Sequence, residues 1–177
     1  TGVQTCGLPI SEMMKAAIGG EIDRIQEILG ASPHELKKTD AEGRTAIHYG
    51  AMGGHIAVLE LLIQSGASLN TVDSKRRSPL FLAESHGKNE AFTFLLAQGA
   101  KINQQAMGGM TIAMVGAHSG NMEVLTAALE NGVRPDIKDH KGKTALDYAK
   151  AANHSEIVSY LESLAAAKPA SSKKTAA

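Results

Sequence analysis

Residues 43–73 read GRTAIHYGAMGGHIAVLELLIQSGASLNTVD, and most of the remaining chain is an imperfect copy of this stretch. Thr45, Ser78, Thr111 and Thr144 recur every 33 residues; Gly66, Gly99 and Gly132 keep the same step, as do Asn70, Asn103 and Asp136. A fixed period in the range of about 20 to 50 residues marks a solenoid, whose units expose an apolar face that only their neighbours cover. Within the unit, Ala46, Ile47 and Ala51, then Ile56, Leu59, Leu62 and Ile63, fall on helical spacing. Gly53 and Gly54 break the run, which predicts two short antiparallel helices. Helices this short are marginal alone, so cohesion must come from stacking.

The tetrad Thr45-Ala46-Ile47-His48 resembles the T-P-L-H of ankyrin repeats, and Gly50-Ala51, Gly54-His55, Leu61-Leu62, Gly66-Ala67, Asn70 and Asp73 complete the pattern. Later copies read Ser78-Pro79-Leu80-Phe81, Thr111-Ile112-Ala113-Met114 and Thr144-Ala145-Leu146-Asp147. The resemblance covers roughly residues 8–164 and implies an all-α ankyrin-repeat solenoid of about five repeats: 8–39, 40–72, 73–105, 106–138 and 139–164. The outer two would be caps. Residues 1–10 read as an N-terminal extension draped over the first repeat, and 165–177 as a low-complexity basic tail whose composition predicts disorder. The resemblance also implies that His48 ties neighbouring turns together by hydrogen bonds, rather than serving as a ligand or base.

The formal net charge is zero, so nothing global draws the chain to nucleic acid or an anionic membrane. Aromatic residues are 3% of the chain, which leaves the packing to Ala, Leu, Ile and Met. A single cysteine, Cys6, excludes an internal disulfide framework and fits a reducing compartment. No His, Lys or Arg adjoins Cys6 to lower its pKa, so it reads as inert. No apolar run is long enough to span a bilayer, and no secretory leader is visible. The first residue is Thr1, which reads as a trimmed start; the expected location is intracellular and cytoplasmic, with a mature organellar protein as the alternative.

Several positions depart from the repeat. Ser11 stands as the first N-cap, before an apolar stripe of Ala16, Ala17, Ile22, Ile25, Ile28 and Leu29. The turn Gly30–His34 is irregular, and Glu12, Lys15, Glu21, Asp23 and Glu27 are expected on the cap's outer face. Arg76 occupies the place of Gly43, Gly109 and Gly142, where a tight turn favours a residue without Cβ. Either that turn relaxes to another type, or Arg76 keeps the left-handed conformation at about 1 kcal/mol. In the fourth repeat Ala106 replaces the usual Asp, and the tip carries Met107 and Met110. Large exposed apolar groups mark contact sites, but Met110 could equally fold onto the next repeat and leave Met107 alone exposed. Met114, Val115, Met122, Val124, Leu125 and Leu129 read as core. In the last repeat Asp147 replaces the His, and Asn153 the Gly, of the motif.

The sequence has no dinucleotide fingerprint, P-loop, zincin motif or cysteine pair, and no nucleophile with a base and orienting group can be assembled. No catalytic residue, cofactor or resident metal is therefore expected. His86 and His118 form the one candidate metal pair and lack further ligands. What remains is a surface. In the family, partners lie on the concave side, made of hairpin tips and the exposed edge of each first helix. Carried over by position, that surface holds Glu42, Arg44, Met52, Ser74, Lys75, Arg76, Arg77, Ser85 and His86, then Met107, Met110, His118, Ser119, His140, Lys141 and Lys143. The tips are mainly basic, while Glu60, Glu84, Glu90, Glu123, Glu130, Glu156 and Glu162 place the acid on the helices. The expected function is a non-enzymatic protein–protein interaction module, an adaptor whose partner offers acidic and apolar groups. Two rivals stay open: a permanent subunit of a large, organellar assembly, and an RNA-contacting protein using the basic tips and tail. The scarcity of aromatics for base stacking weighs against RNA.

Overall fold

A computed structural model describes residues 10–167, which form an all-α stack of helix pairs. The pairs are α1 (Glu12–Gly19) with α2 (Ile22–Ala31), α3 (Ala46–Gly53) with α4 (Ile56–Gln64), and α5 (Pro79–Ser85) with α6 (Asn89–Ala97). They continue as α7 (Ile112–Ser119) with α8 (Met122–Glu130), and α9 (Ala145–Ala151) with α10 (Ser155–Ala167). The draped extension, the inert Cys6 and most of the basic tail lie outside the described residues; α10 itself runs on to Ala167.

The period survives as a column of helix caps. Ser11, Ser78, Thr111 and Thr144 each accept a hydrogen bond from the backbone N–H three residues on, at Met14, Phe81, Met114 and Asp147. These bonds satisfy amides that the first turn of a helix leaves without a partner. In α3 the device runs in reverse as well, with the Thr45 N–H donating to His48 Nδ1 at 3.0 Å. The irregular turn after α2 is a 3₁₀ helix, Pro33–Lys37, that plants Leu36 in the core.

First helices stack on first helices, α1 on α3 on α5 on α7 on α9, while α2, α4 and α6 form a second row. Between the rows lie fully buried Ile25, Leu59, Leu62, Phe92, Leu95 and Leu125. Met13 and Met14, which the sequence reading passed over, are fully buried in the first cap. The turn between paired helices also holds neighbouring repeats. His55 Nε2 lies 3.0 Å from the Ile18 carbonyl, and His154 Nε2 lies 3.0 Å from that of His118.

Between the third and fourth repeats the same position is Asn121, whose Nδ2 donates to Glu84 Oε2 at 3.2 Å and to Asn89 Oδ1 at 2.8 Å. Ser119 Oγ donates to Glu84 Oε1 at 2.6 Å. Glu84, one of the acids on the helices, is therefore buried. Burial pushes its carboxyl above the usual range, and the bonds from Ser119 and Asn121 offset part of that rise.

The hairpin tips are joined backbone to backbone. Ser74 N–H donates to the Glu42 carbonyl, Met107 N–H to that of Lys75, and His140 N–H to that of Gly108, each at 2.7 Å. Arg76 does not relax its turn: its φ is 59°, beside 75°, 79° and 75° at Gly43, Gly109 and Gly142. The Arg76 N–H still donates to the Asp73 carbonyl at 2.8 Å, so the hairpin bond that defines the tip outweighs the strain of a Cβ in the left-handed region.

Candidate protein-binding surface

Three positions in each repeat decide what a tip presents. In the second repeat they are Asp40, Arg44 and Tyr49. Asp40 Oδ1 accepts from the backbone N–H groups of Glu42 and Arg44, at 2.9 and 2.8 Å. Its Oδ2 accepts from Arg44 Nε at 2.8 Å and from the Tyr49 hydroxyl at 2.6 Å, and the guanidinium lies 5.1 Å over the Tyr49 ring. Burial pushes the Asp40 carboxyl up, but the hydrogen bonds from Tyr49 and Arg44 win and hold it below the usual range. Burial, with the bond to Asp40, pushes the Tyr49 hydroxyl up to about 12.

The fifth repeat repeats the triad. Tyr148 Oη donates to Asp139 Oδ2 at 2.7 Å, the amides of Lys141 and Lys143 donate to Oδ1, and Lys143 Nζ lies 5.8 Å over the Tyr148 ring. In the third repeat Asp73 and Arg77 pair at 2.7 Å, with Leu82 in the tyrosine's place.

The fourth repeat has none of this. Its three positions are Ala106, Met110 and Val115. The hairpin is intact nonetheless: Ala106 N–H donates to the Met110 carbonyl at 2.9 Å and Gly109 N–H to that of Ala106 at 3.1 Å. Where the other tips are filled by a carboxylate and a cation, this one leaves a pocket of about 290 Å³. Met107, Met110, Val115, Phe81 and Tyr148 supply its apolar lining, and Lys75, Arg77 and His118 its rim. Met107 is 58% exposed, whereas Met110 is half buried against the core, so Met107 alone projects fully from the tip. Val115, read as core, stands half buried in the pocket wall.

The remaining surface residues sort by whether they are already engaged. Arg44 is held by Asp40 and Glu42, and Arg77 by Asp73. Ser119 is spent on Glu84, and Met52 is half buried. His86 Nδ1 lies 2.8 Å from the Leu82 carbonyl of its own helix, while the His118 ring meets Tyr148 edge-on at 6.1 Å. The two histidines are thus turned to different partners, and no group of three potential metal ligands occurs among the described residues. Ser74, Ser85 and His140 are exposed, as are Lys75, Arg76, Lys141 and Lys143. These four cations make no ion pair among the described residues. Of the basic tip residues, Arg44 and Arg77 are held structurally and the other four stand exposed.

His48 is fully buried, and burial lowers its pKa to about 4 against the pull of Asp73, the backbone at Arg77 and Thr71, and Asp40. Its Nδ1 accepts from Thr45 within its own repeat, and its ring interacts with the backbone at Thr71 and, across the turn, at Arg77 of the next repeat. A larger concavity, about 940 Å³, opens on the first repeat around Glu12, Lys15, Arg24 and Glu27. Most of its charges are matched internally, Lys15 with Glu12, Arg24 with Glu27 and Lys38 with Glu35.

The column of caps, the stacked helix pairs and the ladder of tips are matched by a family model, ankyrin repeats (3 copies), over residues 13–106 and 98–171. The chain belongs to the ankyrin-repeat family. Such repeats are a protein–protein interaction module and typically carry no enzymatic activity. Among similar proteins is the transient receptor potential cation channel subfamily A member 1 homolog of Caenorhabditis elegans, 32% identical over 143 residues, 81% of this chain and 12% of that protein. Ankyrin repeat protein nuc-2 of Neurospora crassa is 27% identical over 180 residues, 82% of this chain and 17% of its own length. An L-asparaginase of Dirofilaria immitis is 27% identical over 148 residues, 82% of this chain and 25% of that one. The ankyrin chain thus spans a quarter or less of the length of these relatives. No helix among its described residues is long and apolar enough to cross a membrane.

Proposed function

We propose that this chain is a non-enzymatic adaptor that holds a partner protein against the face made by its hairpin tips and first helices. The partner places acidic groups at the third and fifth tips and an apolar group at the fourth. The observation that carries this reading is the set of exposed, unpaired cations Lys75, Arg76, Lys141 and Lys143 on either side of the apolar tip around Met107. Unpaired surface charge of one sign steers encounter with a partner of the other sign.

The test starts from the protein purified from its own source and cross-linked through its lysines. Links from Lys75, Lys141 and Lys143 to one acidic partner support the adaptor. Links from Lys15 and Lys150 to several neighbours favour a fixed subunit of an assembly. With the partner identified, reversing Lys75, Arg76 and Lys141 to Glu slows association and weakens its dependence on salt. Association kinetics unchanged by that triple reversal would overturn the proposal.

A further inference from the structure

The fourth tip differs from its neighbours at three positions that act together elsewhere as one unit. Asp, cation and Tyr in the second and fifth repeats become Ala106, Met110 and Val115, so carboxylate, cation and ring are absent together. We propose that these residues form a socket for one apolar side chain of an extended acidic peptide. The proposal rests on the protein-binding reading above and narrows it to a linear segment with a single anchor.

Three observations fix the occupant. The pocket, about 290 Å³, is lined mainly by apolar side chains, which suits an apolar group. No carboxylate lines it, and cations stand on both sides: Lys75 and Arg77 on the third repeat, Lys143 above the Tyr148 ring on the fifth. Met107 and Met110 are unbranched and adaptable, which suits a wall that must close around a side chain not present in the folded chain itself. A central apolar anchor within a polar rim is the arrangement that concentrates binding energy at interfaces. In an extended peptide, residues two positions either side of the anchor share its face. Acidic side chains there meet Lys75 on one flank and Lys143 on the other.

The experiment selects a displayed random-peptide library against the full chain, then measures one selected peptide by calorimetry. The expected consensus is a single Leu, Met or Phe with Asp or Glu two residues away on each side. The decisive variant installs the polar triad of the second repeat: Ala106→Asp, Met110→Arg and Val115→Tyr together. It fills the socket with the side chains that close the second tip, and an unchanged or raised Tm shows that it folds. Peptide affinity then falls by roughly tenfold or more. If the triple variant unfolds, Met110→Arg alone, at a half-buried rim position, takes its place. No enrichment, a consensus without an apolar anchor, or equal affinity for the filled socket each overturns the proposal. None of these bears on the broader adaptor reading, which is judged separately by the charge reversals with the cross-linked partner.

Discussion

The second and fourth hairpin tips share their hairpin hydrogen bonds and have opposite chemistry. In both, the residue that opens the tip and the one four positions on exchange the same hairpin hydrogen bond: Asp40 N–H to the Arg44 carbonyl at 3.0 Å, Ala106 N–H to that of Met110 at 2.9 Å. Both place a glycine with positive φ at the turn, Gly43 and Gly109, and the fourth adds a second, Gly108 at 81°, where the second tip has Glu42. Yet the second tip closes on a buried carboxylate with four donors, while the fourth opens an apolar pocket. The backbone bonds and the left-handed residue therefore suffice to make a tip. The polar triad is an addition that occupies the space left open at the fourth tip.

The largest expected effect comes from breaking the closed tip. Asp40→Ala leaves two backbone amides, the Tyr49 hydroxyl and the Arg44 guanidinium without their acceptor, and destabilises the chain by about 3–5 kcal/mol. Denaturant unfolding measures this; a loss under about 1 kcal/mol would mean that the second tip is no more dependent on its triad than the fourth.

The next effect separates the repeats by pH. The His48 pKa is about 4 in the folded chain against an ordinary value of 6.5, so the unfolded chain takes up a proton first as pH falls. Stability from the neutral ring is complete above about 6.5 and is lost progressively down to about 4, on the order of 3 kcal/mol in all. His48→Gln, which cannot titrate, flattens that limb of a Tm-against-pH curve. Asp40 and Asp73 have lowered pKa values, so their contribution disappears only below the ordinary carboxylate range and remains as a separate, more acidic limb. An acid limb of the same slope in the Gln variant would show that His48 is not the titrating group.

The smallest effect exchanges glycine and arginine between tips. Arg76→Gly relieves a left-handed Cβ and stabilises by about 1 kcal/mol or less, while Gly43→Arg destabilises by a similar amount. A Cβ on Gly43 meets nothing nearer than the Ser74 amide nitrogen at 3.4 Å, so the second change reports backbone strain rather than a clash. Equal and opposite shifts in unfolding midpoint confirm that the tips share one backbone; shifts of the same sign would refute it.

The fold was legible because its signals repeat. Thr45, Ser78, Thr111 and Thr144 cap helices at a fixed period, and caps and glycines act on their own few neighbours. The pocket was not legible, because what creates it is a closure across space. Tyr49 reaches back nine residues to Asp40, a link that no helical or repeat spacing displays. Without it Ala106 reads as a missing Asp, Met110 as ambiguous and Val115 as core, three separate oddities instead of one site. The burial of Glu84 was not legible for a related reason. Its acceptors are satisfied from Ser119 and Asn121, 35 and 37 residues away, just off the 33-residue period, so the sequence shows only an acid on a helix.

The tip ladder has a consequence for how such a chain can be rewritten. Every rung, from Ser74 to Glu42, Met107 to Lys75 and His140 to Gly108, is drawn between main-chain atoms. The links between tips thus do not depend on which side chains the tips carry, although the closure of an individual tip does. The trio 106, 110 and 115 is thus where the ladder already runs without a polar closure, whereas an apolar trio written at 40, 44 and 49 would keep the rungs and forfeit the closure of the second tip.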